Sequence, residues 1–340
     1  MQKTITNDDT ERRVIPKPVG ISVVAICSFI AMIILVLHEN QFADPTDELI
    51  KKIIACVIIF AANVIFIRLY DKLTALPVEL WQNRRLIWKL SKNDFKTRYA
   101  GSYLGMVWAF VQPVVTILVY WFVFEKGFNA KAQALTTGLE VPYVLYLTAG
   151  MVPWFFFNEA VMNVMTALLE YNYLVKKVVF KISILPIIKI IAACFIHIFF
   201  VCFMLVLNIG YGFYPDMYWL QLIYFSACLF IFILGLSYAT CAIVIFFRDL
   251  TQIVAIFMQV GMWATPIMWS IDKIPSEYQI IFKLNPVYYI VNGYRSALFE
   301  KSWFWEDFYS TMFFWIMTVV VFAIGGLIFK RLKVHFADVL

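Results

Sequence analysis

Eight long apolar runs dominate this chain and decide what it can fold into. A helix needs about 20 apolar residues to cross the hydrocarbon core of a bilayer. The runs that meet or approach this are Gly20–Leu37, Ile53–Ile67 (extended by Leu69 and Tyr70), Tyr103–Phe124, Val141–Leu169, Leu185–Leu207, Trp219–Phe247, Ile253–Ile271 and Phe308–Phe329. None alternates apolar with polar residues, which excludes a transmembrane β-barrel. Composition agrees: 63% of residues are hydrophobic, 15% are charged and the mean hydropathy is +0.80. Soluble domains carry about 25% charged residues. The six cysteines all fall within apolar runs, as small apolar filler rather than a disulfide frame or metal set. The reading is an all-α polytopic membrane protein.

A ninth stretch, Ile274–Phe299, is broken by Pro275, Pro286 and Asn292-Gly293 and carries Lys283 and Arg295. Irregular backbone at membrane depth must be buried in protein or face a cavity, so this segment predicts a re-entrant hairpin. Lys and Arg mark the cytoplasmic side. They gather before the first run, between the second and third, around Lys176–Lys189, at Arg248 and after the last run. The other side keeps Lys51, Lys52, Lys126, Lys131, Lys273, Lys283, Arg295 and Lys301. Both termini are therefore expected in the cytoplasm. The first run follows a long mixed-charge segment without a small-residue cleavage site, so a retained anchor is expected. The basic balance is absorbed by this bias, and nucleic acid is not implied.

Residues 1–75 read as a two-span extension with an acidic loop at Glu39–Glu48, and 76–340 as one six-span unit. Between the second and third runs, Leu80–Arg98 projects as an amphipathic helix. Arg85, Lys89, Lys92 and Lys96 share one stripe; Leu80, Trp81, Leu86, Ile87, Trp88, Leu90 and Phe95 take most of the remaining circumference. A basic face opposite Trp and Leu predicts a helix lying in the membrane interface. Arg85, Lys89 and Arg98 are candidates for holding an anionic lipid head, or simply for orienting the chain by charge.

Polar groups inside spans point to function or to packing. Glu159 is an interior carboxyl, either a gating or helix-packing contact or a hydrogen-bonded structural acid. His197 is alone on an apolar helix, and packing explains it better than metal binding, since no second ligand sits at the needed spacing. Gln112, Thr116 and Tyr120 form one stripe; Gln252, Gln259, Trp263 and Pro266 form another. Such stripes line a polar conduit or hydrogen-bond neighbouring helices. No Gly-rich phosphate loop, carboxylate pair, Ser-His-Asp set or Cys/His cluster is present, so no catalytic residue and no resident cofactor are expected.

Six segments in order carry a family resemblance: LIWKLSKNDFKTRYAGSYLGMVWAFVQPV at Leu86–Val114, AGMVPWFFFNEA at Ala149–Ala160, NYLVKKVVFKISILP at Asn172–Pro186, FFRDLTQIV at Phe246–Val254, ATPIMWS at Ala264–Ser270 and NPVYYIVNGYRSALF at Asn285–Phe299. From about residue 76 onward the chain resembles the permease subunit of bacterial ABC exporters of lipid-linked polysaccharides. The resemblance implies a six-span permease core with a homodimeric pore, two separate cytoplasmic ATPase subunits holding ATP and Mg, and an undecaprenyl-type lipid-linked glycan as substrate. It places the chain in a bacterial inner membrane. It further implies a coupling loop at 170–181 with Glu170, Asn172, Leu174, Lys176 and Lys177 meeting the ATPase. The stripes Gln112, Thr116, Tyr120, Gln259 and Trp263 would line the pore. The segment 274–299, with Pro286, Tyr288, Tyr289 and Arg295, would form re-entrant gate helices near the outer face. The usual aromatic-Pro after the Lys-Lys pair is replaced by Val179-Phe180-Lys181, and the two-span extension has no counterpart. Exporters of drugs or small lipids share this architecture; a membrane glycan ligase or acyltransferase would need a catalytic constellation that the chain lacks.

Overall fold

The computed structural model describes residues 17–37, 45–98, 100–133, 140–176 and 181–339. The chain divides into two units, Met1–Arg84 and Arg85–Leu340. Most of the acidic loop read at Glu39–Glu48, together with Lys177 and Val179-Phe180, lies outside the described residues.

The first unit is a helical pair, α1 (Lys17–Leu37) and α2 (Pro45–Gln82). They meet where Gly20 faces Tyr70: a Cβ on Gly20 would lie 2.1 Å from the phenol oxygen. Lys17 sits 5.9 Å above the same ring, and Lys52 donates to the Val36 carbonyl at 3.2 Å. Most of the other apolar side chains of this pair are exposed and the rest mainly half-buried, as suits helices that face lipid. At 38 residues, α2 is about 57 Å long. It runs unbroken through Pro77, so the helix expected over Leu80–Arg98 is divided: Leu80–Gln82 belong to α2, and α3 spans Arg84–Arg98.

The second unit is a bundle. Its long helices are α4 (Trp108–Trp121), α5 (Tyr143–Met165), α8 (Leu185–Gly210), α9 (Gln221–Phe246) and α13 (Phe308–Leu332). Between α5 and α8 lie two single-turn helices, α6 (Ala167–Glu170) and α7 (Asn172–Val175). The shorter elements α10 (Leu250–Ala264), α11 (Ser276–Lys283), α12 (Pro286–Arg295) and α14 (Phe336–Val339) complete it. Ala132–Gln133 and Glu140–Val141 form a two-residue antiparallel pair. Among the described residues, seven helices are long and apolar enough to cross a membrane.

The seventh of the eight expected spans, Ile253–Ile271, is the exception. Its helix stops at Ala264, and Thr265 is extended (φ −92°, ψ 128°). Pro266 explains this, because the residue before a proline is pushed out of the helical region. The broken stretch 274–299 holds two short helices, α11 and α12. Asn285 caps α12, accepting from the Val287 amide at 3.0 Å, and Pro286 occupies the first turn, where no amide is needed.

α5 is the core: almost every residue from Tyr143 to Val161 is buried, with α8, α9 and α12 packed around it. α9 and α13 approach closely through glycine. A Cβ on Gly325 would lie 2.1 Å from the Gly235 carbonyl oxygen, and one on Gly235 would meet Phe322 Cα at 2.9 Å. Small residues permit such backbone approach where van der Waals packing rather than water exclusion drives association.

Candidate functional site

Two polar clusters are built on α5, near opposite ends of the helix. Glu159 and Tyr146 mark them, about 20 Å apart at 1.5 Å per residue.

The first cluster gathers charge from four elements. Arg98, closing α3, pairs with Glu159 of α5 at 2.5 Å and with Asp94 one turn back at 3.4 Å. Lys189, in the second turn of α8, pairs with Asp94 at 2.6 Å and with Glu170 of α6 at 2.5 Å. Tyr171 donates to Asp94 at 2.9 Å, and its ring lies 5.4 Å beneath the Lys189 ammonium. Burial, and then the neighbouring Asp94 carboxylate, push the Tyr171 hydroxyl well above the usual phenol range, so it stays a donor. Asp94 and Lys189 are only 7% and 5% exposed.

The helical projection of α3 explains why this cluster escaped the sequence reading. Ile87, Ser91 and Asp94 are the buried residues of α3. With Arg98 they recur at i, i+4, i+7 and i+11, the same spacing as Arg85, Lys89, Lys92 and Lys96, rotated to the opposite face. The basic stripe is exposed and the second one faces inward. Trp88 and Phe95 flank it and meet Phe195 of α8 edge-on, at 5.2 and 5.8 Å. The three lipid-head candidates therefore separate: Arg85 and Lys89 lie on the exposed face, while Arg98 turns in to Glu159. The signal for Asp94 was an acid among Ile87 and Ser91 on the inner stripe. For Lys189 it was a lysine four residues into an apolar run.

The coupling-loop candidates surround this cluster. Glu170 joins it, Leu174 is half-buried, and Asn172 and Lys176 are exposed beside Tyr173. The tip is thus free to meet another surface while its base is held by ion pairs.

The second cluster holds the irregular segment after α10. Arg295, buried at the end of α12, donates to the Pro266 and Ile267 carbonyls at 2.6 Å each. Its guanidinium lies 3.6 Å from the Tyr146 ring centroid. Tyr143 donates to the Met268 carbonyl at 2.8 Å and Tyr146 to that of Trp269 at 3.2 Å. Asn285 donates to the Thr265 hydroxyl at 2.7 Å. These donors satisfy the carbonyls that a broken helix leaves open. Of the gate candidates, Arg295 and Tyr288 lie in this cluster. Tyr289 instead joins the α9–α13 seam, 3.0 Å from the Thr311 hydroxyl and stacked on Phe314, and Pro286 opens α12.

The chain itself covers the polar stripes only in part: Pro266, which ends the second, is buried. Gln112 on α4 and Gln252, Gln259 and Trp263 on α10 are exposed; Thr116 and Tyr120 are half-buried. α10 buries none of its residues. His197 is packed, stacked on Phe156 at 4.5 Å and 3.2 Å from the hydroxyls of Ser226 and Tyr294. Among the described residues no cluster suited to a metal ion occurs.

Comparison with known proteins places this arrangement. Residues 85–299, well over half of the chain, match the model of the ABC-2 type transporter family. An O-antigen export system permease protein RfbA of Klebsiella pneumoniae is 27% identical over 256 residues, covering 74% of this chain and 93% of that protein. A protein of the same name from Myxococcus xanthus is 28% identical over 265 residues, covering 76% and 97%. The matched segment opens at α3 and closes just after α12, so it contains both polar clusters: the chain belongs to the ABC-2 type transporter family.

Proposed function

We propose that this chain is the membrane-spanning subunit of an ABC exporter that carries a lipid-linked polysaccharide out of the cytoplasm. Two copies enclose the path, and separate ATPase subunits supply the energy. The observation that carries this reading is the uncovered polar face of α10. Gln252, Gln259 and Trp263 stand exposed on a 15-residue helix whose opposite side is half-buried. Amides at membrane depth need a partner that lipid cannot provide. A facing second copy and a hydrated conduit between the two copies both supply one. The names of the relatives support the substrate class. Asn172, Tyr173 and Lys176, exposed on the loop tip, suit ATPase docking, and the Lys and Arg bias supports a cytoplasmic position for that loop and both termini in the inner membrane. Arg85 and Lys89 then face the cytoplasmic leaflet, where an anionic lipid pyrophosphate would be drawn to them.

The test is cysteine substitution at Gln112 and Gln259, with native cysteines replaced, in the complex with its ATPase subunit. A small hydrophilic maleimide should label both positions, with a rate that changes on adding ATP. Failure to label in every nucleotide state overturns the conduit.

A further inference from the structure

We propose that Lys189 and Asp94 are positioning residues that bind the ATPase-facing loop, the interface helix α3 and the α8 span into one moving body. This deepens the exporter reading and rests on it. Lys189 reaches two carboxylates at once: Asp94 on α3 at 2.6 Å and Glu170 on α6 at 2.5 Å. Asp94 in turn receives Tyr171 from the same loop and Arg98, which continues to Glu159 on α5. A displacement of the loop tip is therefore delivered through short ionic links to an interface helix and to two spans.

Stability alone does not account for such a hub. Buried ion pairs are poor stabilisers, because desolvation offsets most of the attraction, and well-packed apolar residues often replace them without loss. What they do well is fix distance and register. The chain places Lys189 within a largely apolar helix (Leu185–Gly210), where Leu or Met would pack. α6 and α7 are single turns of four residues, too short to hold their own geometry. They need an anchor at the base if a push at Asn172–Lys176 is to move anything but the loop. The ring of Tyr171 under the ammonium and the Thr166 hydroxyl on Glu170 at 2.5 Å further restrict how the base can turn. The anchor acts only on energy transfer. It touches neither the loop tip nor the uncovered stripes.

The experiment uses the complex with its ATPase subunit in proteoliposomes, with a fluorescent undecaprenyl-diphosphate oligosaccharide as probe. It reads assembled complex, ATP turned over and glycan exported. Lys189→Met should assemble and hydrolyse ATP within about twofold of the parent, while glycan exported per ATP falls about tenfold or more, the scale of a typical coupling energy. Lys189→Arg, which keeps both ion pairs, should restore the ratio to within about threefold. Asp94→Asn should lower the ratio as well, and Asp94→Asn/Lys189→Met should be no worse than the poorer single variant, since both break one linkage. An unchanged export-to-ATP ratio in Lys189→Met overturns the proposal. So does a loss that merely tracks missing complex and is not rescued by arginine. If the parent chain itself neither binds the ATPase nor moves the probe, the exporter reading fails first, and that arm separates the two outcomes.

Discussion

α5 and α10 are both apolar helices of the same bundle, yet one is mostly buried and the other has no fully buried residue. Hydropathy does not separate them; their neighbours do. α5 is enclosed by α8, α9 and α12 and carries the polar groups of both clusters. α10 rests on α5 mainly where Gly261 meets the Trp154 indole, a Cβ there falling 3.1 Å from the ring. The face that carries Gln252, Gln259 and Trp263 is open. In a membrane protein, then, an apolar run announces a helix but not its role. The role is set by whether its polar residues find partners inside the chain. Those of α5 do, and those of α10 await a second surface.

Three substitutions break or sharpen this contrast. The largest effect is expected at the closed side, from Gly325→Leu. The new side chain would enter the space of the Gly235 carbonyl, 2.1 Å from its Cβ, and overpacking of that kind costs about 3 kcal/mol or more. Thermal unfolding in detergent should show loss of the folded species; a Tm equal to the parent's would mean that α9 and α13 do not touch as described. Arg295→Met comes next. It strips two buried carbonyls, those of Pro266 and Ile267, of their donor, a destabilisation of about 2–3 kcal/mol because a charged donor is lost from a buried acceptor. Protease accessibility of the segment after α10 should rise together with the fall in Tm. Smallest is Gln259→Leu on the open side, within about 0.5 kcal/mol for the isolated chain. There the Tm in detergent should hold while dimer formation or glycan export changes. A large drop in Tm of the monomer would show that α10 is packed after all.

Much of this architecture could be read from the residues, and the remainder was hidden for identifiable reasons. Runs of about 20 apolar residues have few options in a bilayer, so most of the spans were legible. The seventh run was overextended because hydropathy does not register what Pro266 does to Thr265. The break between Gln82 and Arg84 was misplaced because Asp71–Ala75 contains nothing that stops a helix, and α2 continues through it. At the site, Glu159 was visible as a lone acid in a span, but its partner was not: Arg98 ends a helix whose evident charge pattern, Arg85, Lys89, Lys92 and Lys96, lies on the other face. Asp94 was hidden more deeply. Two stripes with identical spacing run along α3, and only the folded chain reveals that the one holding Asp94 faces inward.

Arg295, Tyr143, Tyr146 and Asn285 grip the segment that follows α10, and three of the four hold it by main-chain carbonyls. That choice has an evolutionary consequence. A hold on the backbone is indifferent to which side chains the gripped residues carry, so Ile267–Trp269 can drift within the limits of volume while the conformation persists. The same hold makes the gripping residues hard to exchange, since each contributes a donor that no apolar residue can replace. Over time, the captured strand can diversify while its captors stay fixed.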